Sequence, residues 1–134
     1  MRRNLWAVAM GGLVAAGTMF VTVTPAAAHH SFDAEYDANR TATLSGTVTK
    51  VDWVNPHAFI YFTFEDKNGK VQEYAIELGP PYALVRGGWK RDTVKIGDKI
   101  TVEKAALSKD GSNRAGATRD TSLVLPSGEK LVMR

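Results

Sequence analysis

Residues 58–78 read AFIYFTFEDKNGKVQEYAIEL and form the clearest β-hairpin pattern in the chain. Residues 58–65 are aromatic or β-branched on both faces, which is typical of a central strand covered on both sides. Asn68-Gly69 tolerates the positive φ angles of a tight turn, and residues 71–78 return as the partner strand. The segment therefore predicts two neighbouring strands at the centre of one domain.

The segments on either side extend this pattern. Residues 41–54 are rich in Thr and Val, and their alternation changes phase near Thr49-Lys50, which predicts a bulge or bend. Asn55-Pro56 ends this strand, because proline lacks the donor that a sheet requires. Pro81 starts a short predicted helix over residues 81–85.

Further strands follow that helix. They are predicted at residues 99–105 and, as a terminal hairpin, at 121–125 and 130–133, with a polar loop at 109–119. Together the elements predict an all-β fold, a small five- to six-stranded OB-like Greek-key barrel with one short helix between the third and fourth strands. Other small barrels or sandwiches are the alternatives.

The first 28 residues have the three parts of an export signal. Arg2 and Arg3 precede an uncharged run over residues 5–23, and Ala26-Ala27-Ala28 offers the small side chains that signal peptidase requires. We expect cleavage after Ala28, with cleavage after Ala27 or an uncleaved anchor as alternatives. The predicted organisation is a leader at 1–28, an extended arm at 29–40 and the barrel at 41–134, in a periplasmic protein without a stable membrane anchor.

The composition fits one ordinary globular domain. The chain has 134 residues, of which 44% are hydrophobic and 23% are charged, and it contains no cysteine. It therefore has no disulfide, thiolate zinc site or thiol nucleophile. The net charge of +3 owes much to the leader arginines, so nucleic acid is not an expected partner.

Four motifs recur together in this chain. They are His29-His30-Ser31-Phe32, Asn55-Pro56-His57, Gly88-Trp89, and KDGSNR at residues 109–114. With them the chain resembles a family of small exported proteobacterial proteins of unknown function. The resemblance covers residues 29–134 and implies export and a single domain, and it implies no activity.

The three histidines carry the functional hypothesis. Cleavage after Ala28 would give His29 a free α-amine, which can chelate one metal ion together with its own imidazole. His57 could supply a third nitrogen, with His30 as a further candidate. Copper(II) favours such nitrogen donors and binds more tightly than other divalent metals, so copper(II) is expected ahead of zinc.

Several features modify this metal hypothesis. Cleavage after Ala27 would place a histidine third in the chain, which also binds copper(II), but differently. The acidic side chains of Asp33, Glu35 and Asp37 could orient an imidazole, although such residues more often simply solvate an arm. His57 could also serve a structural role, bonding to the backbone of its turn.

The alternative is a metal-free adaptor or small-ligand module. Aromatic residues near the ends of elements are its candidate contacts, namely Trp53, Tyr82 and Trp89. Its partner would be an envelope protein or a small ligand. A weaker alternative is a subunit of an envelope oxidoreductase in which His57 contacts the partner. No catalytic triad, nucleophile elbow or paired carboxylates stand out, so an enzyme is not expected.

Overall fold

The computed structural model describes residues 26–134, and their side chains from residue 31 onwards. The described elements are two helices and seven strands. In chain order they are α1 (Ala26–Glu35), β1 (Tyr36–Asp52), β2 (Phe59–Glu65), β3 (Val71–Glu77), α2 (Pro81–Arg86), β4 (Lys99–Ser108), β5 (Arg114–Gly116), β6 (Ser122–Val124) and β7 (Lys130–Val132).

Five of these strands close into the predicted barrel. The order β1-β2-β3-β5-β4 is joined into a ring because β1 also pairs with β4. All neighbours in the ring are antiparallel except β3 and β5, which run parallel. Helix α2 connects β3 to β4, and the β6–β7 hairpin is attached to β4. The OB-like Greek-key prediction is therefore confirmed.

Strand β1 can pair on both sides of the ring because it is long and irregular. Its first part pairs mainly with β4, and its second part pairs with β2. The register with β2 shifts between Val48 and Lys50, where the change in sequence alternation predicted a bulge. Bulges bend a strand and increase its twist, which a small barrel needs in order to close.

Three local predictions were wrong. Residues 114–116 lie within the predicted polar loop, but they form β5, which closes the ring between β3 and β4. The arm predicted as extended from residue 29 is helical as far as Glu35, and only the part from Tyr36 onwards is extended. No proline or glycine interrupts residues 26–35, so the helix meets no local obstacle.

The third error concerns the two faces of β2. Ile60 and Phe62 are buried inside the barrel, whereas Phe59 and Tyr61 on the other face are only partly buried. The outer face of β2 carries large aromatic side chains that are not fully covered. Residues 58–65 are therefore less buried than their hydrophobic sequence predicts.

Two apolar clusters result from this architecture. The main one fills the barrel interior and includes Phe62, Ile76 and Leu123. The second is small, consists of Phe32, Tyr36 and Ala106, and lies where α1 covers the outside of the barrel. No helix within residues 26–134 has the length and apolar character needed to cross a membrane.

Candidate functional site

The candidate site lies on the outer barrel face beneath α1. Glu77 on β3 is in register with Phe59 on β2 and with Gly116 on β5, and Gly116 is in register with Ala106 on β4. Because side chains alternate along a strand, this row faces away from the core residue Ile76. Gly116 and Ala106 are the small residues of this row, and they leave a depression that Phe32 and Tyr36 fill.

The Glu77 carboxylate joins two segments that are far apart in sequence. Its Oε1 atom lies 2.5 Å from Nδ1 of His57, and its Oε2 atom accepts a 2.8 Å hydrogen bond from the Tyr36 hydroxyl. Arg114 Nη2 donates to the same hydroxyl over 3.3 Å. The result is a continuous chain from Arg114 through Tyr36 and Glu77 to His57.

Burial makes these contacts stronger than they would be in water. The His57 and Glu77 side chains are 22% and 13% exposed, so water weakens their attraction only partly. Burial, the hydrogen bond to Glu77 and the charge of that carboxylate all raise the pKa of Tyr36 well above its ordinary value. Tyr36 therefore stays protonated and keeps donating to Glu77.

The Glu77 contact also sets the chemistry of His57. A carboxylate accepts hydrogen bonds, so the Nδ1 atom facing it carries the proton. In a neutral imidazole, Nε2 then holds the lone pair that can accept a proton or bind a metal. This carboxylate–histidine arrangement is the one that orients many metal-binding histidines in proteins.

Helix α1 forms one wall of the site. A small pocket is lined by residues from α1, the β1–β2 loop, β3 and the segments that follow β3, β5 and β7, which are Phe32, His57, Glu77, Leu78, Ala117 and Arg134. The Arg134 guanidinium lies 4.7 Å from the centre of the Phe32 ring, and its Nη1 donates to the Ala117 carbonyl over 3.3 Å.

For the other predicted metal ligands, the structure describes only the backbone. His29 and His30 belong to α1, but their side chains lie outside the described part of the structure, as do residues 1–25 of the predicted leader. Residue 29 lies three residues before Phe32 in α1. Among the described residues, no three His, Cys, Asp or Glu side chains form a metal-binding group.

The acidic residues near the histidines in sequence have other contacts. The backbone carbonyl of Asp33 accepts a hydrogen bond from Lys109, Glu35 pairs with Arg114 at 3.4 Å, and Asp37 accepts from the amide of Asn39 at 3.0 Å. Glu77, which sequence reasoning did not single out, is the carboxylate that meets His57. The sequence offers one indication of this role, because Glu77 is a charged residue between the apolar Ile76 and Leu78 at the end of a buried strand.

The aromatic candidates do not form a single site. Trp53 and Trp89 line one apolar pocket, with Lys90 and Arg91 also in its wall. Trp89 is only 3% exposed, and its indole donates to the Val132 carbonyl over 2.7 Å, so it has a structural role. Tyr82 is 64% exposed on α2 and is not part of that pocket.

Comparison with known proteins places the chain in a family. Residues 18–119 match DUF6152, which is described as a family of unknown function. The chain belongs to DUF6152. No curated protein and no solved structure gives a significant match. The DUF6152 match contains all four members of the Arg114–Tyr36–Glu77–His57 network and ends before β6.

In this DUF6152 protein, the dependence of unfolding on alkaline pH should reveal the raised pKa of Tyr36. Below pH 10 the phenol is protonated in both states, so its contribution to stability is complete. Above about pH 10 the unfolded state loses the proton while the folded state keeps it, and the free energy of unfolding should fall by up to about 1.4 kcal/mol per pH unit. Urea unfolding of the wild type and Tyr36→Phe between pH 8 and 11 measures this slope.

The expected result is a shallower alkaline decline for Tyr36→Phe. Tyr82→Phe is the matched control, since Tyr82 is largely exposed and should leave the wild-type slope unchanged. Equal slopes in the wild type and Tyr36→Phe would contradict the assignment of the alkaline decline to Tyr36.

Proposed function

We propose that this protein is an exported periplasmic protein that binds copper(II) at a processed N-terminus, for carriage or buffering of the metal. The ligands are the α-amine and imidazole of His29 and the Nε2 atom of His57, with His30 as a further donor. Zinc is the less favoured metal. The proposal gives the protein no catalytic role.

The observation that carries the proposal is the 2.5 Å contact between Glu77 Oε1 and His57 Nδ1. It holds the imidazole in one orientation, with Nε2 as the metal-binding nitrogen. The contact differs from the backbone bond of a turn-capping histidine, since its partner is a side-chain carboxylate that also accepts from Tyr36.

The position of α1 supports the part of the proposed site that His29 supplies. Phe32 and His57 line the same small pocket, and residue 29 lies one turn before Phe32 in α1. An amine, a terminal imidazole and a second imidazole give three nitrogen donors, which suit the tetragonal geometry of copper(II). Cleavage after Ala28 would supply the amine and link metal binding to export.

The test compares two forms of the protein that differ only at the N-terminus. One begins at His29 and the other begins at Ala26. We expect the form beginning at His29 to bind copper(II) at least about a hundredfold more tightly, because only there can amine and imidazole of one residue chelate the ion. Competition titration against a chromophoric chelator measures the affinity, and electron paramagnetic resonance counts the nitrogen ligands.

Substitution of His57 tests the other ligand. In the form beginning at His29, His57→Ala should lower copper(II) affinity at least tenfold and remove one nitrogen from the resonance spectrum. Tyr82→Ala is the control, because Tyr82 is exposed on α2 and should change neither quantity. Equal affinities for the two N-terminal forms, or an unchanged spectrum for His57→Ala, would overturn the proposal.

A second candidate function is the binding of a small ligand at the apolar pocket. What favours it is that Trp53 and Trp89 line one apolar pocket with Lys90 and Arg91 in the same wall. The space inside is only about 10 Å³, room for about one water molecule, so an aromatic carboxylate would bind only after these side chains move apart. Benzoate, followed by tryptophan fluorescence, is a suitable probe. In this case Trp53→Ala would abolish binding and His57→Ala would not affect it.

A further inference from the structure

We infer that Phe32 and Gly116 are positioning residues for the metal site, and that docking of α1 on the barrel and binding of the metal reinforce each other. The inference rests on the proposed function, because it concerns how the two halves of that site come together. It assigns Phe32 and Gly116 no contact with the metal.

The docking surface exists because Gly116 has no side chain. A Cβ atom at this position would collide with Phe32 Cε2 and would lie 2.7 Å from Tyr36 Cδ2 and 2.9 Å from Phe32 Cζ. The two rings pack together with their centres 5.0 Å apart, and both are almost completely buried. The depression in the Gly116–Ala106 row therefore accepts Phe32 from α1 and Tyr36 from the start of β1.

Polar contacts fix the end of α1 to the loop before β5. The amide of Lys109 donates to the Glu35 carbonyl over 2.9 Å, and the Lys109 ammonium donates to the Asp33 carbonyl. Arg114 pairs with the Glu35 carboxylate at 3.4 Å. These contacts satisfy carbonyl groups that the end of a helix would otherwise leave unpaired.

The loop is itself held in a defined shape. The Asp110 carboxylate accepts hydrogen bonds from the hydroxyl of Ser108 and the amide of Ser112. These bonds, led by the one from Ser108, lower the pKa of Asp110 to about 2. The KDGSNR motif at residues 109–114 is thus the anchor of α1, a role that its sequence did not reveal.

Helix docking is needed because α1 is too short to be stable alone. Cleavage after Ala28 would leave residues 29–35, about two turns, and isolated helices of that length are marginal in water. Packing of Phe32 against Gly116, together with the contacts of Lys109 and Arg114, therefore supplies the order that holds α1 beside the pocket lined by Phe32 and His57. Coupling between two equilibria is reciprocal. If docking of α1 favours copper(II) binding, copper(II) must therefore stabilise the docked helix by the same factor.

The experiment measures α1 docking and copper(II) binding separately, on the protein beginning at His29. Hydrogen exchange of the α1 amides reports docking without metal. Phe32→Ala and Gly116→Ala should each speed this exchange at least tenfold and weaken copper(II) binding at least tenfold, while circular dichroism of the barrel is retained. Copper(II) should slow α1 exchange in the wild type.

Two further variants make the outcome specific. Ser31→Ala changes an exposed side chain in the same helix and should alter neither exchange nor affinity, whereas Phe32→Leu should restore part of both. If Phe32→Ala speeds exchange but leaves copper(II) affinity unchanged, the inference is overturned and the proposed function stands. If the wild type binds no copper(II), the proposed function fails, and α1 exchange still shows whether Gly116 receives Phe32.

Discussion

Replacing Glu77 by glutamine is expected to weaken copper(II) binding by about ten- to a hundredfold, the range found when a carboxylate that orients a metal-binding histidine is changed. Glutamine has nearly the same shape but only one acceptor oxygen. It cannot accept from both Tyr36 and His57, as the two carboxylate oxygens do in the wild type.

The tautomer of His57 explains the size of the expected effect. The buried Tyr36 hydroxyl keeps the glutamine oxygen as its acceptor, so the amide nitrogen turns towards His57. Nδ1 must then accept a hydrogen bond, and the proton moves to Nε2. An Nε2 atom that carries a proton cannot bind the metal until the tautomer changes back.

Two measurements check this prediction. Competition titration gives the copper(II) affinity, and long-range proton–nitrogen NMR on the metal-free protein identifies the protonated nitrogen of His57. The matched control is Glu73→Gln, an exposed position four residues earlier on β3, which should leave both unchanged. An unaltered tautomer together with wild-type affinity in Glu77→Gln would show that Glu77 does not position His57.

Replacing Gly46 by alanine is expected to lower the free energy of unfolding by about 3 kcal/mol, at the upper end of the usual cost of overpacking. A Cβ atom there would overlap the Thr63 carbonyl oxygen and lie 2.5 Å from Cδ2 of Phe62. Phe62 is fully buried, and the Thr63 oxygen belongs to the backbone. Neither neighbour can move without disturbing the junction between β1 and β2.

Urea unfolding followed by tryptophan fluorescence measures the loss. Gly87→Ala is the matched control, because Gly87 has an ordinary φ of −80° and the nearest atom to its added Cβ would be 3.3 Å away. We expect that change to cost less than about 1 kcal/mol. A similarly small effect for Gly46→Ala would mean that the barrel relaxes there, and that close approach of β1 to β2 is not required.

Local patterns predicted most of the strands because they depend on neighbouring residues. The Asn68-Gly69 turn joins β2 and β3, with Gly69 at a φ of +77°, and the change of alternation marked the bulge in β1. Proline and glycine bounded α2 in the same way. Strand β5 was not predicted because its three residues, Arg114–Gly116, are too few to show an alternating pattern. They are extended because they pair with β3 and β4.

The candidate site was predicted only in part for a similar reason. His57 is visible in the sequence as a potential ligand, but its partner Glu77 is 20 residues away and meets it only through the β2–β3 register. Tyr36 and Arg114 join the network from still more distant segments. Asp33, Glu35 and Asp37 are nearer to the histidines in sequence, but the carboxylates of Glu35 and Asp37 contact other groups.

Alternation, turn chemistry and composition were enough to determine an all-β domain with a short helix after the third strand, since these signals act over a few residues. The tertiary structure alone decided three other features. These are the closure of the ring by β5, the docking of α1 into the depression at Gly116, and the contact between Glu77 and His57. Each of these depends on contacts between segments that are far apart along the chain. Such segments become neighbours only when the barrel closes, so no pattern of adjacent residues reveals their contact.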